Sequence, residues 1–287
     1  MSVDLKGEVY CPYCGSKTHF SDAELKDYKA LRSNMLSYLR NMADAKANKA
    51  DETSLWMFQD SVTLFSKDDT EIRINYLCYS KEDGVECYVA RENVVYVFDK
   101  SEVHRASAMT DGIGKLKYPS ADMKGLSNYF PKMVSRIELS DGRLLVAYSK
   151  PENVYPLYAF GNMKAEHVAW IVSRLENFCC LFEYSEIVHG GLSLESVFIN
   201  PKTHEAYLYG GWWKAHEKIS DRDTKDLKDL RTVATKLIGE YFETSPVEFK
   251  KFLSGAPSED AYTDFSKWDE VIEKGFGGHK FVKFTNN

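Results

Sequence analysis

Two loops and one cysteine pair hold the side chains best suited to chemistry. Val188-His189-Gly190-Gly191-Leu192-Ser193-Leu194-Glu195-Ser196 places an imidazole and a carboxylate in one loop, and Leu208-Tyr209-Gly210-Gly211 follows soon after. An imidazole titrates near neutrality, so His189 could act as a general base or a metal ligand. No carboxylate nearby in sequence is placed to orient it, and a structural histidine is the simpler reading. Glu195 could supply one carboxylate to a metal, or be a solvated loop residue. Cys11-Pro12-Tyr13-Cys14-Gly15 closes a tight turn in which both thiolates face one ion. A structural zinc takes four ligands. Cys78 and Cys87 flank the turn Glu82-Asp83-Gly84 and could complete an all-thiolate site with Cys11 and Cys14, with His19 as the competing third ligand. Such a zinc would be structural, tying the N-terminal segment to the strands beyond it and contributing folding energy. The alternative is buried thiols acting as small apolar residues, as Cys179 and Cys180 do in a helix.

Around these groups the hydrophobic period changes along the chain. Ser21 and Glu24 form a capping box, followed by Leu25, Tyr28, Leu31, Met35, Leu36, Leu39 and Met42 on one helical face. From 54 to 98 the period becomes two. Strands are expected over 55–58, 61–65, 71–79, 85–90 and 93–98, with turns at Lys67-Asp68-Asp69 and Glu82-Asp83-Gly84. Between 99 and 132, Gly112, Gly114, Pro119, Gly125 and Pro131 break any long element. A hairpin over 135–139 and 143–148 then runs into a hinge at Ser149-Lys150-Pro151. Beyond it the apolar spacing predicts a helix through Val168, Ile171, Val172, Leu175, Phe178, Cys179 and Phe182. A hairpin over 197–199 and 206–208, a helix opened by Asp226, and helices over 247–253 and 265–273 complete the chain.

The 287 residues suffice for a substantial core. Apolar residues make up 44% and charged residues 28%, which is ordinary globular usage. The 18 Tyr and 16 Phe suit a β-rich portion. The net charge of -6 gives no footprint for nucleic acid or an anionic membrane. No apolar run reaches the length of a membrane span and the start Met1-Ser2-Val3-Asp4 does not read as a signal peptide. The chain is therefore expected to be cytoplasmic, its six cysteines free or metal-bound.

The two glycine-rich loops resemble the catalytic loop and metal loop of protein kinases, His-Arg-Asp-Leu-x-x-x-Asn and Asp-Phe-Gly. His189 and Leu192 match. Gly191 stands at the catalytic base, Ser196 at the metal-binding amide and Gly210 at the metal-binding carboxylate. The order of hairpin, hinge, long helix, His loop, short hairpin and Asp-led helix also follows that family over roughly residues 134–240. By the same resemblance Asp226 anchors the backbone of the His189 loop, where a simpler role would be to cap its helix. Phosphoryl transfer needs metal-held phosphates, a lysine on them and a base near the nucleophile. Glycine supplies none of these, and Ser196 is a poor metal ligand.

The only glycine-rich candidate for a phosphate cover, Thr110-Asp111-Gly112-Ile113-Gly114-Lys115, reads better as a turn. Lys115 or Lys117 is the candidate lysine, without an evident Glu partner in 120–132. The stretch 211–225 is short for a substrate-docking segment and no Ala-Pro-Glu is present. Trp212-Trp213 puts one indole in position to anchor a partner.

These readings give an α+β, protein-kinase-like fold: a zinc-knuckle and helix over 1–53, an antiparallel β-rich portion over 54–150 and a helical portion over 151–287. The loops are also similar to kinase-like proteins of large bacterial viruses. The resemblance implies a pseudokinase that binds a protein partner, with ATP and Mg not expected and neither membrane nor direct nucleic-acid binding. Two alternatives stand beside it. One is an atypical nucleotide-binding phosphotransferase or nucleotidyltransferase using Glu195, His189 and Lys115. The other is a zinc-ribbon-like adaptor for nucleic acid or the transcription machinery, with Lys17, Lys26, Lys29 and Arg32 as its basic face.

Overall fold

The computed structural model describes the backbone of residues 8–10 and 17–19, and residues 56, 59–121, 123–220 and 223–280. Strands β1 (Glu8–Tyr10) and β2 (Lys17–His19) pair antiparallel, Tyr10 opposite Lys17. Cys11, Cys14, the capping box and the helix expected after it lie outside the described residues, as does most of the strand expected over 55–58, of which Trp56 is helical.

Strands β3 (Asp60–Phe65) and β4 (Glu71–Tyr76) form a hairpin of their own. The central sheet follows: β5 (Cys78–Glu82), β6 (Val85–Val89), β7 (Asn93–Phe98), β8 (Met133–Glu138) and β9 (Leu144–Ser149). Its spatial order is β5-β6-β7-β9-β8, every neighbour antiparallel. Alternation along β7 divides its side chains between two cores. Val95 and Val97 join Leu64, Ile74, Tyr76, Tyr88 and Leu145 beneath the β3–β4 hairpin. Val94, Tyr96 and Phe98 face the main core, which runs without a break into the helical part.

Helix α1 (Val103–Gly114) fills the connection from β7 to β8. This corrects the expectation of a turn at Thr110–Lys115. The glycines break nothing because the helix buries only the narrow strip Ala106, Met109 and Gly112. Gly112 is needed for close approach: a Cβ there would lie 3.0 Å from Ala215 Cβ and 3.1 Å from the Trp212 carbonyl oxygen.

After β9, β10 (Tyr155–Pro156) pairs with β12 (Val197–Asn200), which pairs with β13 (Glu205–Leu208). Helix α2 (Ala165–Ser185) is the core of the helical part, ended by Glu186 in the left-handed conformation at φ 59. Short strands β11 (Ile187–Val188) and β14 (His216–Glu217) bracket the loops in question. Helices α3 (Lys225–Ile238), α4 (Val247–Ser254) and α5 (Ala261–Phe276) follow. Among the described residues no helix is long and apolar enough to cross a membrane.

A buried ion cluster ties α2, α3 and α5 together. Arg231 donates to Glu176 at 3.2 Å and to Asp264 at 2.5 Å, and Asp264 also accepts from the Ser258 amide and hydroxyl at 2.8 Å each. Burial, with the Asp264 charge beside it, pushes Glu176 up to about 8. Arg231→Met leaves two carboxylates buried without their cation, a change that costs about 3 to 5 kcal/mol in comparable pairs. Urea unfolding should report a loss of that order; a loss under about 1 kcal/mol would contradict the assignment.

Candidate functional site

A cleft of about 430 Å³ opens between the β5–β6 hairpin, Tyr96 and the two glycine loops, with Trp213 and Lys214 along one wall. The local sequence explains its geometry. Glu82 pairs with Val85, so only Asp83 and Gly84 make the turn, at φ 47 and 76. This is the tight two-residue hairpin turn that Asp-Gly favours. Lys81 is held by Glu86 at 3.1 Å, and Lys214 reaches across to Glu82 at 2.8 Å.

The floor of the cleft is two stretches of backbone in contact. A Cβ on Gly191 would lie 2.9 Å from Gly211 Cα and 3.0 Å from its carbonyl oxygen. On Gly211, itself at φ 79, a Cβ would lie 2.6 Å from the Gly191 carbonyl oxygen and 2.8 Å from the His189 ring. On Gly210 it would meet Ser196 Cα at 2.9 Å and the Tyr96 hydroxyl at 3.0 Å. Glycine is required at these positions by space rather than merely allowed by flexibility. Ser196 is turned inward: its hydroxyl accepts from the Ser193 amide at 2.8 Å and donates to the Ser193 carbonyl at 3.3 Å.

His189 clamps the two loops together. Its ring is fully buried, stacked on Phe182 and met edge-on by Trp212 at 4.7 Å. The Gly191 amide donates to Nδ1 at 3.2 Å, which makes Nδ1 the acceptor, and Nε2–H then donates to the Gly210 carbonyl at 3.1 Å. This pattern is that of the neutral ring with its proton on Nε2. Burial lowers its pKa to about 3. From below, the Asp226 carboxylate accepts from the His189 and Gly190 amides, both at 2.8 Å. Burial pushes Asp226 up to about 6 while those two amides pull it down.

The remaining expected residues separate. Lys115 and Lys117, at the end of α1, pair with Glu217 at 3.1 Å and Glu186 at 2.9 Å instead of lining the cleft. Glu195 is exposed at the cleft rim. Trp212 is buried and donates from its indole to the Leu208 carbonyl at 2.8 Å. Trp213 is half-buried and lines the cleft beside Tyr96 and Phe98. Cys78 pairs with Val89 and Cys87 with Ser80. The two cysteines are therefore diagonal neighbours on one buried face, and burial pushes Cys87 up to about 12. Among the described residues no group of three or more His, Cys, Asp and Glu side chains is placed to hold a metal.

Tyr96 is the residue that sequence reasoning missed. Tyr96 lines the cleft from β7, in the row Val94, Tyr96 and Phe98 that faces the main core. An apolar row of period two reads as an ordinary core strand, so only the strand order reveals the position.

The chain matches no known family profile and no curated protein. Among solved structures it is similar to vaccinia related kinase 3, with TM-score 0.44 and 13% identity over 78% of this chain and 81% of that one. It is similar also to the ROP18 kinase domain in complex with AMP-PNP and sucrose, with TM-score 0.49 and 9% identity over 84% and 95%. A rhoptry kinase from Toxoplasma gondii gives TM-score 0.48 and 10% identity over 76% and 84%. The fold is α+β and protein-kinase-like: an antiparallel sheet with a helix inserted after its third strand, followed by a helical part carrying the two loops.

The neutral His189 sets a pH dependence. Its folded pKa of about 3 lies below the ordinary 6.5, so the stability it contributes is complete above pH 6.5 and is lost as the pH falls toward 3. Asp226, raised, works in the opposite sense between about 6 and its ordinary 3.8. A His189→Asn variant keeps Asp226, so the difference between the two proteins isolates the ring. That difference should shrink by about 1.4 kcal/mol per pH unit below 6.5 in denaturant unfolding. A flat difference would mean that the ring is not held neutral.

Proposed function

We propose that this protein is a catalytically inactive kinase-like module that acts by binding another protein. The observation that carries the reading is the contact of Gly191 with Gly211 and of Gly210 with Ser196 and Tyr96. At the three positions where phosphoryl transfer places its base and metal ligands, two lack any side chain and the third has its hydroxyl bound to its own loop. Restoring carboxylates would require the loops to separate. These residues do not fit a magnesium–nucleotide.

The rest of the cleft supports the same reading. The two-residue turn Asp83-Gly84 closes the hairpin at its edge, where phosphates call for several glycine amides. Tyr96 and Trp213 occupy its inner wall with aromatic rings in contact at 5.6 Å between centroids. The Lys214–Glu82 bridge spans its mouth. An intact fold with a packed, carboxylate-free loop pair is suited to presenting surface, and regulation by binding is the role left to it.

The test is reversal. Gly191→Asp and Gly210→Asp each force a side chain against backbone at under 3.0 Å and should lower stability by about 1 to 3 kcal/mol, the usual range for overpacking. Neither these nor the combination with Ser196→Asn should transfer phosphate from ATP to a peptide mixture or to water. Transfer by wild type, or by the stable triple variant, would overturn the reading.

A further inference from the structure

A second groove, of about 300 Å³, runs between α4 and α5 in the helical part. Helical spacing builds its walls. Glu248, Lys251 and Phe252 share one face of α4, and Asp264, Lys267, Val271 and Lys274 share one face of α5. Phe249 joins the two helices beside it, meeting Trp268 at 5.7 Å and Phe276 at 5.5 Å between centroids. Helix α4 stops after 8 residues whereas α5 runs for 16. The chain leaves α4 through Gly255 and Ala256, whose side chains are too small to fill the space beside α5.

The floor is apolar and fixed in place. Phe252 meets Trp268 at 4.9 Å and has the Arg231 guanidinium 3.3 Å over its ring. Phe252 is nevertheless only half-buried, and it lines the groove together with Val271 and Ala256. The charges along the groove divide into two sets. Arg231 and Asp264 are paired with each other at the floor, and Lys274 is paired with Glu270 at 2.7 Å, with Glu248 adding to the field at Lys274. Lys251 and Lys267 remain. Both are exposed and enter no ion pair among the described residues, and each directly precedes one ring of the Phe252–Trp268 contact. Beyond α5 the chain turns back along another side of that helix, where His279 meets Asp269 at 2.7 Å. The described residues therefore leave the groove open.

An accessible apolar floor beside two unpaired like charges has the make-up of a recognition surface, and the lysines fix the sign of what docks there. At this size the groove lies at the lower limit for enclosing a small molecule. A nucleic-acid backbone would meet Glu248 and Glu270 in the same groove. We propose that the α4–α5 groove binds a segment of a partner protein in which an aromatic side chain stands beside aspartate or glutamate. The aromatic ring rests on Phe252 and Val271 while the carboxylates reach Lys251 and Lys267. The inference rests on the reading of the chain as a binding module and names the chemistry of its partner.

The test uses the full chain and three short synthetic peptides, carrying phenylalanine between glutamates, phenylalanine between arginines, and serine between glutamates. The glutamate–phenylalanine peptide should bind at least about tenfold more tightly than either control, equivalent to about 1.4 kcal/mol, and should weaken with salt. Hydrogen exchange should slow over residues 248–256 and 264–274 with that peptide only. In a Lys251→Glu, Lys267→Glu variant the preference should reverse toward the arginine–phenylalanine peptide. Both lysines are at the surface and unpaired, so this variant should melt like wild type.

No binding of the glutamate–phenylalanine peptide at millimolar concentration, equal binding of either control, slowing elsewhere, or an unchanged preference in the variant would overturn the proposal. So would displacement of the peptide by a single-stranded oligonucleotide, or protection of the groove before any peptide is added. A phosphotransfer assay on the same sample separates the two readings: activity there would defeat the inactive-kinase reading while leaving the peptide result to stand.

Discussion

The approach of the Gly191 backbone to the Gly211 backbone is the constraint on which the cleft depends. Two loops pack this tightly only if neither carries a side chain at the contact, and only if their polar groups are satisfied from within. His189 meets the second condition as a neutral ring that accepts from one loop and donates to the other. Asp226 holds the turn from beneath through the two amides that would otherwise be buried without acceptors. Hydrogen bonds to a charged group contribute about 1.5 to 3 kcal/mol each, so the anchor is strong for a single side chain.

The neighbouring elements are adapted to that contact. Trp212 fills the space behind the loops and stands edge-on to His189 and Phe182. Gly112 lets α1 settle on the Trp212–Ala215 backbone, so the helix and the loop segment share one packed interface. Tyr96 brings its hydroxyl over Gly210 from the sheet. Each of these is an apolar or glycine solution at a place where charge would have kept the loops hydrated and apart. The result is one hydrophobic cluster running from the sheet into the helices.

Much of this was legible in the sequence because it is periodic or local. The spacing from Val168 to Phe182 gives α2, the spacing from Asp226 to Ile238 gives α3, and Glu82-Asp83-Gly84 gives its turn through chemistry confined to a few residues. Helix α1 was not legible, since its buried strip is made of Ala106, Met109 and Gly112, and small residues signal close packing only once the partner surface is known. The two loops could be found by their histidine and glycines. That Gly191 and Gly210 are required by space, and that Tyr96 stands over one of them, depends on contacts between residues far apart in the chain.

The proposed inactivity implies that the packed glycine loops offer no ligands to a metal-bound nucleotide in the cleft. Its most direct test is electron paramagnetic resonance of manganese titrated into the protein with ATP. The account predicts that the signal of manganese–ATP is the same with and without protein at millimolar concentrations. A distinct protein-bound manganese–nucleotide spectrum would contradict it, because the loops would then have to open and supply ligands that their glycines do not carry.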